Sequence, residues 1–333
     1  MASDDKPPVR TARRRLAVAL PLVTAAVTGL FLFTADEWVI PTLFLFGPRW
    51  VVALPLVIVA PLAVVSRSWW AVGFTILAAV LVAGPLTGGN LGVGPLLAPD
   101  RPAVARLRVV TWNMGGVKAG LAFRQFIEDT DPDLLVLQEA DHQMDAGSFR
   151  PGWQITPSGG LRVASRYPVR PIDALDYRDF EASAAIGRYV VATPEGELTL
   201  VNVHLPTVRP GVEAALGSKL RNLGPLRDVI RQRADASAKV RGWVGEPHAD
   251  LLLAGDFNMP VESRIYRADW GGFSNAFSEA GTGWGTTKQT HWFGVRIDHV
   301  LYSLPWRCRH VEVGPDLGSD HRPLIADLVR EGP

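Results

Sequence analysis

The chain has 333 residues, a formal net charge of +1 and one cysteine, Cys308. A single thiol excludes an intramolecular disulfide and a cysteine-built zinc cage, and it leaves Cys308, read here as structural, as the one thiol any Cys/His pair would need. Of 34 Lys/Arg and 33 Asp/Glu, eight and five lie at or before Arg101, so 26 basic and 28 acidic residues remain downstream, a balance that disfavours nucleic acid as a partner.

In chain order, Lys6, Arg10 and Arg13 to Arg15 make a short basic tail over residues 1–15. An uncharged stretch runs from Leu16 to Phe33, a second apolar run from Trp50 to Val65 and a third from Trp69 to Leu86. A bilayer-spanning helix needs about 17–25 mostly apolar residues. The first and third runs fit; the second is short unless it recruits part of WVIPTLFLFGPR (38–49). Trp38, Trp50, Trp69 and Trp70 stand at run ends, as aromatic belts do. Two further apolar runs argue against a cleaved signal peptide. The expectation is a transmembrane region of about three helices over 16–86. The positive-inside rule puts the basic tail in the cytoplasm, the Asp36, Glu37 and Arg49 loop outside and Arg67 back inside. Three spans then deliver the rest of the chain to the outer face of the plasma membrane; two or four would reverse this.

A Gly-rich stretch and APDRP read as a linker over 87–103, with an outer domain from 104 to 333. LRVVTWNMGG (107–116) alternates like a strand, with Asn113 at its end, and AFRQFIEDT (122–130) has helical spacing. DPDLLVLQEA (131–140) returns as a buried strand that closes on Gln138 and Glu139. The β-α-β order makes these two strands parallel neighbours, so Asn113 and Glu139 emerge together. GRYVVATPEGELTLVNVHLPT (187–207) is a hairpin turning at Pro194 to Gly196, with Asn202 and His204 on one face. LRDVIRQRADASAKVRGWV (226–244) is a polar helix with a Leu/Val stripe, a surface layer. HADLLLAGDFNMP (248–260) is a buried strand ending in Asp256 and Asn258, RIDHVLYS (296–303) begins a strand at Asp298, and GSDHRPLIADL (318–328) opens the last strand with Asp320 and His321.

Five strand ends of this chemical type point to one pocket in an α/β domain. Glu139 and Asp320 are hard oxygen donors suited to Mg²⁺ or Mn²⁺. Asn113 and Asn258 can bond a phosphoryl group without adding charge, His204 and His321 can move protons, and Asp298 can orient an imidazole. The set suits phosphoester or pyrophosphate hydrolysis better than acyl transfer. No G-x-S-x-G elbow, H-E-x-x-H helix or P-loop occurs.

TWNMGG, LQEA, ASRYPV, VNVHLPT, GDFN, RIDHVL and SDHRPL follow the order and spacing of the endonuclease/exonuclease/phosphatase superfamily, which the chain resembles over residues 104 to 330. The resemblance implies a four-layer α/β sandwich, two mixed β-sheets packed face to face and flanked by helices, here preceded by the transmembrane region. It implies metal contacts at Asn113, Glu139 and Asp320, and catalytic roles for His204, Asp256, Asn258, Asp298 and His321. Within that pattern His204 is the first catalytic histidine, Asp256 and Asn258 position water and phosphate, and Asp298 pairs with the acid/base His321. Gly115 stands where an aspartate is common, which implies fewer direct metal ligands, and His299 replaces a common aromatic neighbour and points away by alternation. Arg188 is a candidate for holding a substrate phosphate oxygen or for a surface ion pair; Ser165 and Arg166 are expected to shape the pocket wall.

By architecture the chain also resembles bacterial VanJ-type membrane proteins, linked to teicoplanin resistance. That resemblance implies an undecaprenyl-type lipid pyrophosphate as substrate. The competing readings are an anchored nuclease, a phospholipid or sphingolipid phosphodiesterase, and a non-catalytic module that binds an envelope ligand.

Overall fold

The computed structural model describes residues 7–65, 67–97, 102–140, 144, 146–176, 178, 180, 185–290 and 292–332, without the side chains of residues 7–10, 13 and 14. The start of the basic tail and the APDR part of the expected linker lie outside the described residues. The chain divides into two compact units, Met1–Gly89 with Glu262–Arg264, and Asn90–Val261 with Ile265–Pro333.

The first unit contains α1 (Pro7–Thr34), α2 (Val39–Leu45), α3 (Leu54–Val65) and α4 (Trp69–Leu81). Among the described residues, two stretches are long and apolar enough to cross a membrane, Arg15–Thr34 and Trp69–Leu86. Val39–Leu45 and Arg49–Val65 meet at a bend of 102°, and count as a third candidate only if the bent pair is one span. Gly47-Pro48 explains the break, because proline lacks an N–H and drives the preceding residue out of helical geometry. Ala17, Ala63 and Ala71 are buried against one another, small side chains that let α1, α3 and α4 approach closely.

The second unit opens with β1 (Asn90–Leu91), α5 (Gly94–Leu97), β2 (Ala103–Asn113), α6 (Leu121–Thr130) and β3 (Leu134–Gln138). There follow β4 (Gln154–Ser158), β5 (Leu161–Ser165), β6 (Val169–Leu175), β7 (Ala185–Thr193), β8 (Gly196–His204), α7 (Arg209–Gly217), α8 (Gly224–Val244) and β9 (Leu251–Asp256). The chain finishes through α9 (Arg264–Asp269), β10 (Ser274–Asn275), α10 (Ala276–Ala280), β11 (Thr282–Gly283), β12 (Lys288–Gln289), β13 (Gly294–Val295), β14 (Asp298–Tyr302), β15 (Trp306–Val313) and β16 (Leu324–Glu331).

Two six-stranded mixed sheets carry the unit, in the orders β15-β16-β2-β3-β5-β4 and β10-β14-β9-β8-β7-β6. Alternation builds the core between them: Leu107 and Val109, Leu134 and Val136, and Leu324 and Ala326 face Leu198 and Leu200, Leu252 and Ala254, and Val300 and Tyr302. The other faces are equally apolar because helices cover them. Phe123, Phe126 and Ile127 of α6 pack on Val110, Trp112 and Leu135, while Val240 and Val244 of α8 pack on Val201, Val203 and Leu253. This gives the expected four layers, with α8 as a surface layer. Cys308 is buried in the inter-sheet core, where burial pushes its thiol pKa well up, in keeping with a structural role.

Candidate active site

Register explains why residues scattered over two hundred positions meet. β2 and β3 are parallel with Asn113 opposite Gln138, so Asn113 and Glu139 leave side by side. β8 and β9 are parallel with His204 opposite Asp256. β14 runs the other way and starts there, with Asp298 opposite Asp256. β16 is antiparallel to β2, so its beginning, just after Asp320 and His321, meets the same edge. Four strands finish and two begin along one rim.

Asp256 is the hub of this rim. Its side chain is 1% exposed and accepts hydrogen bonds from Asn113 Nδ2 at 2.9 Å, the Asn258 backbone N–H at 2.8 Å and Asn258 Nδ2 at 3.2 Å. Asn113 Nδ2 also donates to Glu139 Oε1 at 3.0 Å. His204 Nε2 stands 3.6 Å from Glu139 Oε1 and 3.9 Å from Asp256 Oδ2. His321 Nε2 is 3.7 Å from Asp256 Oδ2, and its Nδ1 is 2.9 Å from Asp298 Oδ2. Seven of the expected residues therefore form one connected cluster. Glu139 and Asn258 both take left-handed backbone, with φ of 47° and 50°, an uncommon conformation for glutamate and a tolerated one for asparagine.

Burial drives the Asp256 pKa up, and the Asp298 charge reinforces it against the opposing pull of His321, His204 and Asn113. Burial works to lower the His321 pKa, but the Asp298 and Asp256 carboxylates outweigh it and the value rises to about 9. His321 is thus an imidazolium at neutral pH, facing a carboxylate on each ring nitrogen.

Asp320 lies beside the cluster and looks outward. Its Oδ2 accepts a bond from Lys288 Nζ. Burial raises the Asp320 pKa, yet Lys288, His321 and Arg209 together hold it below the ordinary carboxylate value. Backbone pairing delivers the lysine: Lys288 bridges to His321, and Gln289 N–H donates to the Asp320 carbonyl at 2.8 Å.

Two kinds of acid are available to a metal. Asp256, Asp298 and His321 offer ligand atoms within 4.8 Å of one another, but all three are buried and already bonded within the cluster. Glu139 and Asp320 are 46% and 48% exposed carboxylates, the hard, reachable oxygens a divalent magnesium or manganese ion prefers. The ammonium seated on Asp320 marks a position that favours positive charge. The residues present fit a divalent cation.

Three features support the rim without having been read from the sequence. Lys288 is one. Another is Gln138, whose Nε2 donates to Asn202 Oδ1 at 2.8 Å, while Asn202 Nδ2 donates to the Leu137 carbonyl at 3.0 Å, tying the two sheets beneath the cluster. The third is Arg233, fully buried on α8 and donating to the Asn258 and Pro206 carbonyls at 2.8 and 3.2 Å. Its signal was present in the helical spacing, since 226, 230, 233, 237, 240 and 244 make the buried stripe.

Other expectations fall elsewhere. Arg188 is not brought to the rim: its guanidinium lies 4.0 Å over the Trp243 ring, bonds the Trp243 carbonyl and approaches Asp173 at 3.5 Å. Alternation along β7 turns it to the helix-covered face, opposite to Tyr189. Ser165 and Arg166 do not line a wall of this site either. Ser165 pairs with Leu134 at the start of β3, the end remote from Glu139, and Arg166 pairs with Asp131 and Asp133 there. His299 does point away, packing against Phe257 and Tyr266 with Nε2 2.9 Å from the Met259 carbonyl.

A profile described as the Endonuclease/Exonuclease/phosphatase family matches residues 110–321. Among solved structures, truncated Caenorhabditis elegans TDP2 is 18% identical, covering 67% of this chain and 98% of that one, with a TM-score of 0.48. An endonuclease/exonuclease/phosphatase family protein from Bacteroides thetaiotaomicron is 17% identical over 68% and 99%, with a TM-score of 0.47. The human Nocturnin catalytic domain with bound sulfate is 17% identical over 69% and 96%, with a TM-score of 0.45. No curated protein matches the sequence.

Proposed function

We propose, from the premise that this chain belongs to the Endonuclease/Exonuclease/phosphatase family and is a metal-dependent phosphoesterase-type hydrolase, that it works as a multi-pass plasma-membrane enzyme on a lipid-linked phosphate or pyrophosphate. The N-terminus would be cytoplasmic and the catalytic unit extracellular. The substrate class is an undecaprenyl-type pyrophosphate of the cell envelope, and the physiological role a contribution to glycopeptide resistance. Apolar helices in the same chain support this reading, because confinement of enzyme and lipid to one surface raises their effective concentration. The 26-to-28 charge balance beyond Arg101 places DNA behind a lipid.

The observation that carries the chemistry is the Asp256 carboxylate, fixed by Asn113 and Asn258 and facing the His321 imidazolium. Asp256, oriented by Asn258, positions and deprotonates the attacking water. His321, held by Asp298, donates a proton to the departing oxygen, the role its raised pKa suits at neutral pH. His204 stabilises negative charge that develops on the phosphoryl oxygens, while Asn113, both of whose N–H groups go to Glu139 and Asp256, holds the two carboxylates in place. Glu139, Asp320 and the Asn113 amide would hold Mg²⁺ or Mn²⁺, whose contribution when bound is Lewis-acid polarisation of a phosphoryl oxygen.

The test follows the hydrolysis product made by full-length protein from each substrate, with Glu139→Ala alongside: phosphate from undecaprenyl pyrophosphate, a phosphomonoester from phospholipids or sphingomyelin, and nicked strands from plasmid DNA. The reading predicts turnover of the lipid pyrophosphate that Glu139→Ala abolishes. Preferential cleavage of DNA would replace the lipid reading with an anchored nuclease. Binding of the lipid without turnover would favour a non-catalytic module.

A further inference from the structure

Lys288 breaks the strand-end pattern, for it arrives at the mouth of the cluster from a two-residue strand. β12 pairs with β13 through Lys288 opposite Val295 and Gln289 opposite Gly294. On its other side the segment is stitched to the catalytic loop. Lys288 bridges His321, Gln289 N–H reaches the Asp320 carbonyl at 2.8 Å, and Arg322 N–H reaches the Thr287 carbonyl at 2.7 Å. The Cα of Lys288 is therefore fixed relative to Asp320 and His321. Its ammonium is not, because a flexible four-carbon stem with rotatable donors separates the two.

The surroundings of Asp320 are asymmetric. Oδ2 takes the lysine. The Oδ1 side faces Gly115, where a Cβ would lie 3.5 Å from Oδ1 and 3.1 Å from Ser319 Oγ, on a backbone with φ of +56°. Gly115 has no side chain to place on that flank, and one there would be tight against Ser319 Oγ and in contact with Asp320 Oδ1. Asp320, 48% exposed, therefore presents one oxygen to the Lys288 ammonium and another to a flank on which Gly115 places nothing. Arg209 adds positive charge on the same carboxylate.

A carboxylate cannot hold an ammonium and a divalent ion side by side without strong mutual repulsion. An ammonium pushed off Asp320, on a stem anchored beside His321, stays at the mouth of the site, where a phosphoryl group attacked at Asp256 and His321 would offer it a new anion. We propose that Lys288 competes with the divalent cation for Asp320 and, once displaced, gives its ammonium to a phosphoryl oxygen of the substrate. Lys288 is then a phosphate ligand whose availability depends on metal occupancy, and it couples the two binding events: metal frees the lysine, and phosphate holds it away. This rests on the phosphohydrolase reading above and adds a substrate-binding residue to it.

The test uses full-length protein in detergent, Mn²⁺ as the metal probe and inorganic phosphate as the anion probe. Mn²⁺ affinity is read by electron paramagnetic resonance, and phosphate affinity by calorimetry at saturating Mn²⁺. Lys288→Ala is expected to bind Mn²⁺ about tenfold more tightly than wild type and phosphate about tenfold more weakly, the size of one hydrogen bond to a charged group. Lys288→Arg should keep phosphate binding within about threefold of wild type, since a guanidinium is a competent phosphate ligand. Unchanged Mn²⁺ affinity in Lys288→Ala, or undiminished phosphate affinity, overturns the role of Lys288 and leaves the hydrolase reading standing. The latter fails separately if Glu139→Ala binds Mn²⁺ as tightly as wild type.

Discussion

Asp256 and His321 face each other in a place almost closed to water, where the imidazole pulls the Asp256 pKa down against burial and the carboxylate helps to hold the His321 pKa up. Replacing Asp256 with asparagine preserves shape and removes the base; kcat is expected to fall by about 10²–10⁴ with little change in KM. Asp298 acts through His321, so Asp298→Asn should lower the imidazole pKa from about 9 and carry the alkaline limb of the pH–rate profile to lower pH. An unmoved limb would mean that another group sets it. The same shift bears on stability. A folded-state pKa above the unfolded value means that the native protein binds the proton more tightly. The stabilisation is complete below the ordinary histidine value, about 6.5, and is lost as pH rises through about 9. Thermal melts of wild type should therefore decline across that window, and those of Asp298→Asn should decline less.

Between the sheets, Gln138 and Asn202 form a buried amide pair whose value lies in both partners being present. Gln138→Leu alone leaves Asn202 short of a donor and should cost about 1–3 kcal/mol. The double variant with Asn202→Leu should cost clearly less than the two single costs summed, which denaturant titration of the four-member cycle measures. Arg233→Met removes the donors that grip the Asn258 carbonyl, and is expected to lower kcat along with stability, whereas Arg188→Ala should leave KM unchanged because its ring partner lies on the helix side of β7. Most of this rim was legible in advance: polar residues at the ends of apolar strands marked Asn113, Glu139, His204 and Asp256 where strands finish and Asp298 where one begins, and alternation turned His299 away. Arg188 stayed open between a phosphate oxygen and a surface ion pair, because its position near a strand start says nothing about which face it takes until register is known; the structure pairs it with Asp173. Ser165 and Arg166 misled for a related reason, since β5 runs antiparallel to β3 and carries its end to the far side. Lys288 was invisible because its place depends on a bridge to a segment 33 residues away in sequence. Arg233 could have been found from the helical stripe, but a charged residue inside a buried stripe reads as solvated until a partner for it is known.

At the scale of the whole chain, the described residues include two long apolar helices and one bent pair in the first unit and two six-stranded sheets in the second. The long apolar helices were plain from hydropathy, while the bend at Gly47-Pro48 accounts for the weakness of the second run. The proposed topology predicts that the protein stays with membranes through alkaline carbonate washing, and that a reporter fused after Pro333 is active outside the cell; activity only in the cytoplasm would invert the orientation. The central claim is that one rim, built from six strand ends, hydrolyses a phosphoryl bond with a divalent cation. Its most direct measurement is phosphate release from undecaprenyl pyrophosphate by the full-length protein in Mn²⁺, repeated with a chelator and with His321→Ala. The account predicts turnover that the chelator abolishes reversibly and that His321→Ala reduces by at least about a hundredfold. Turnover unaffected by both would contradict it.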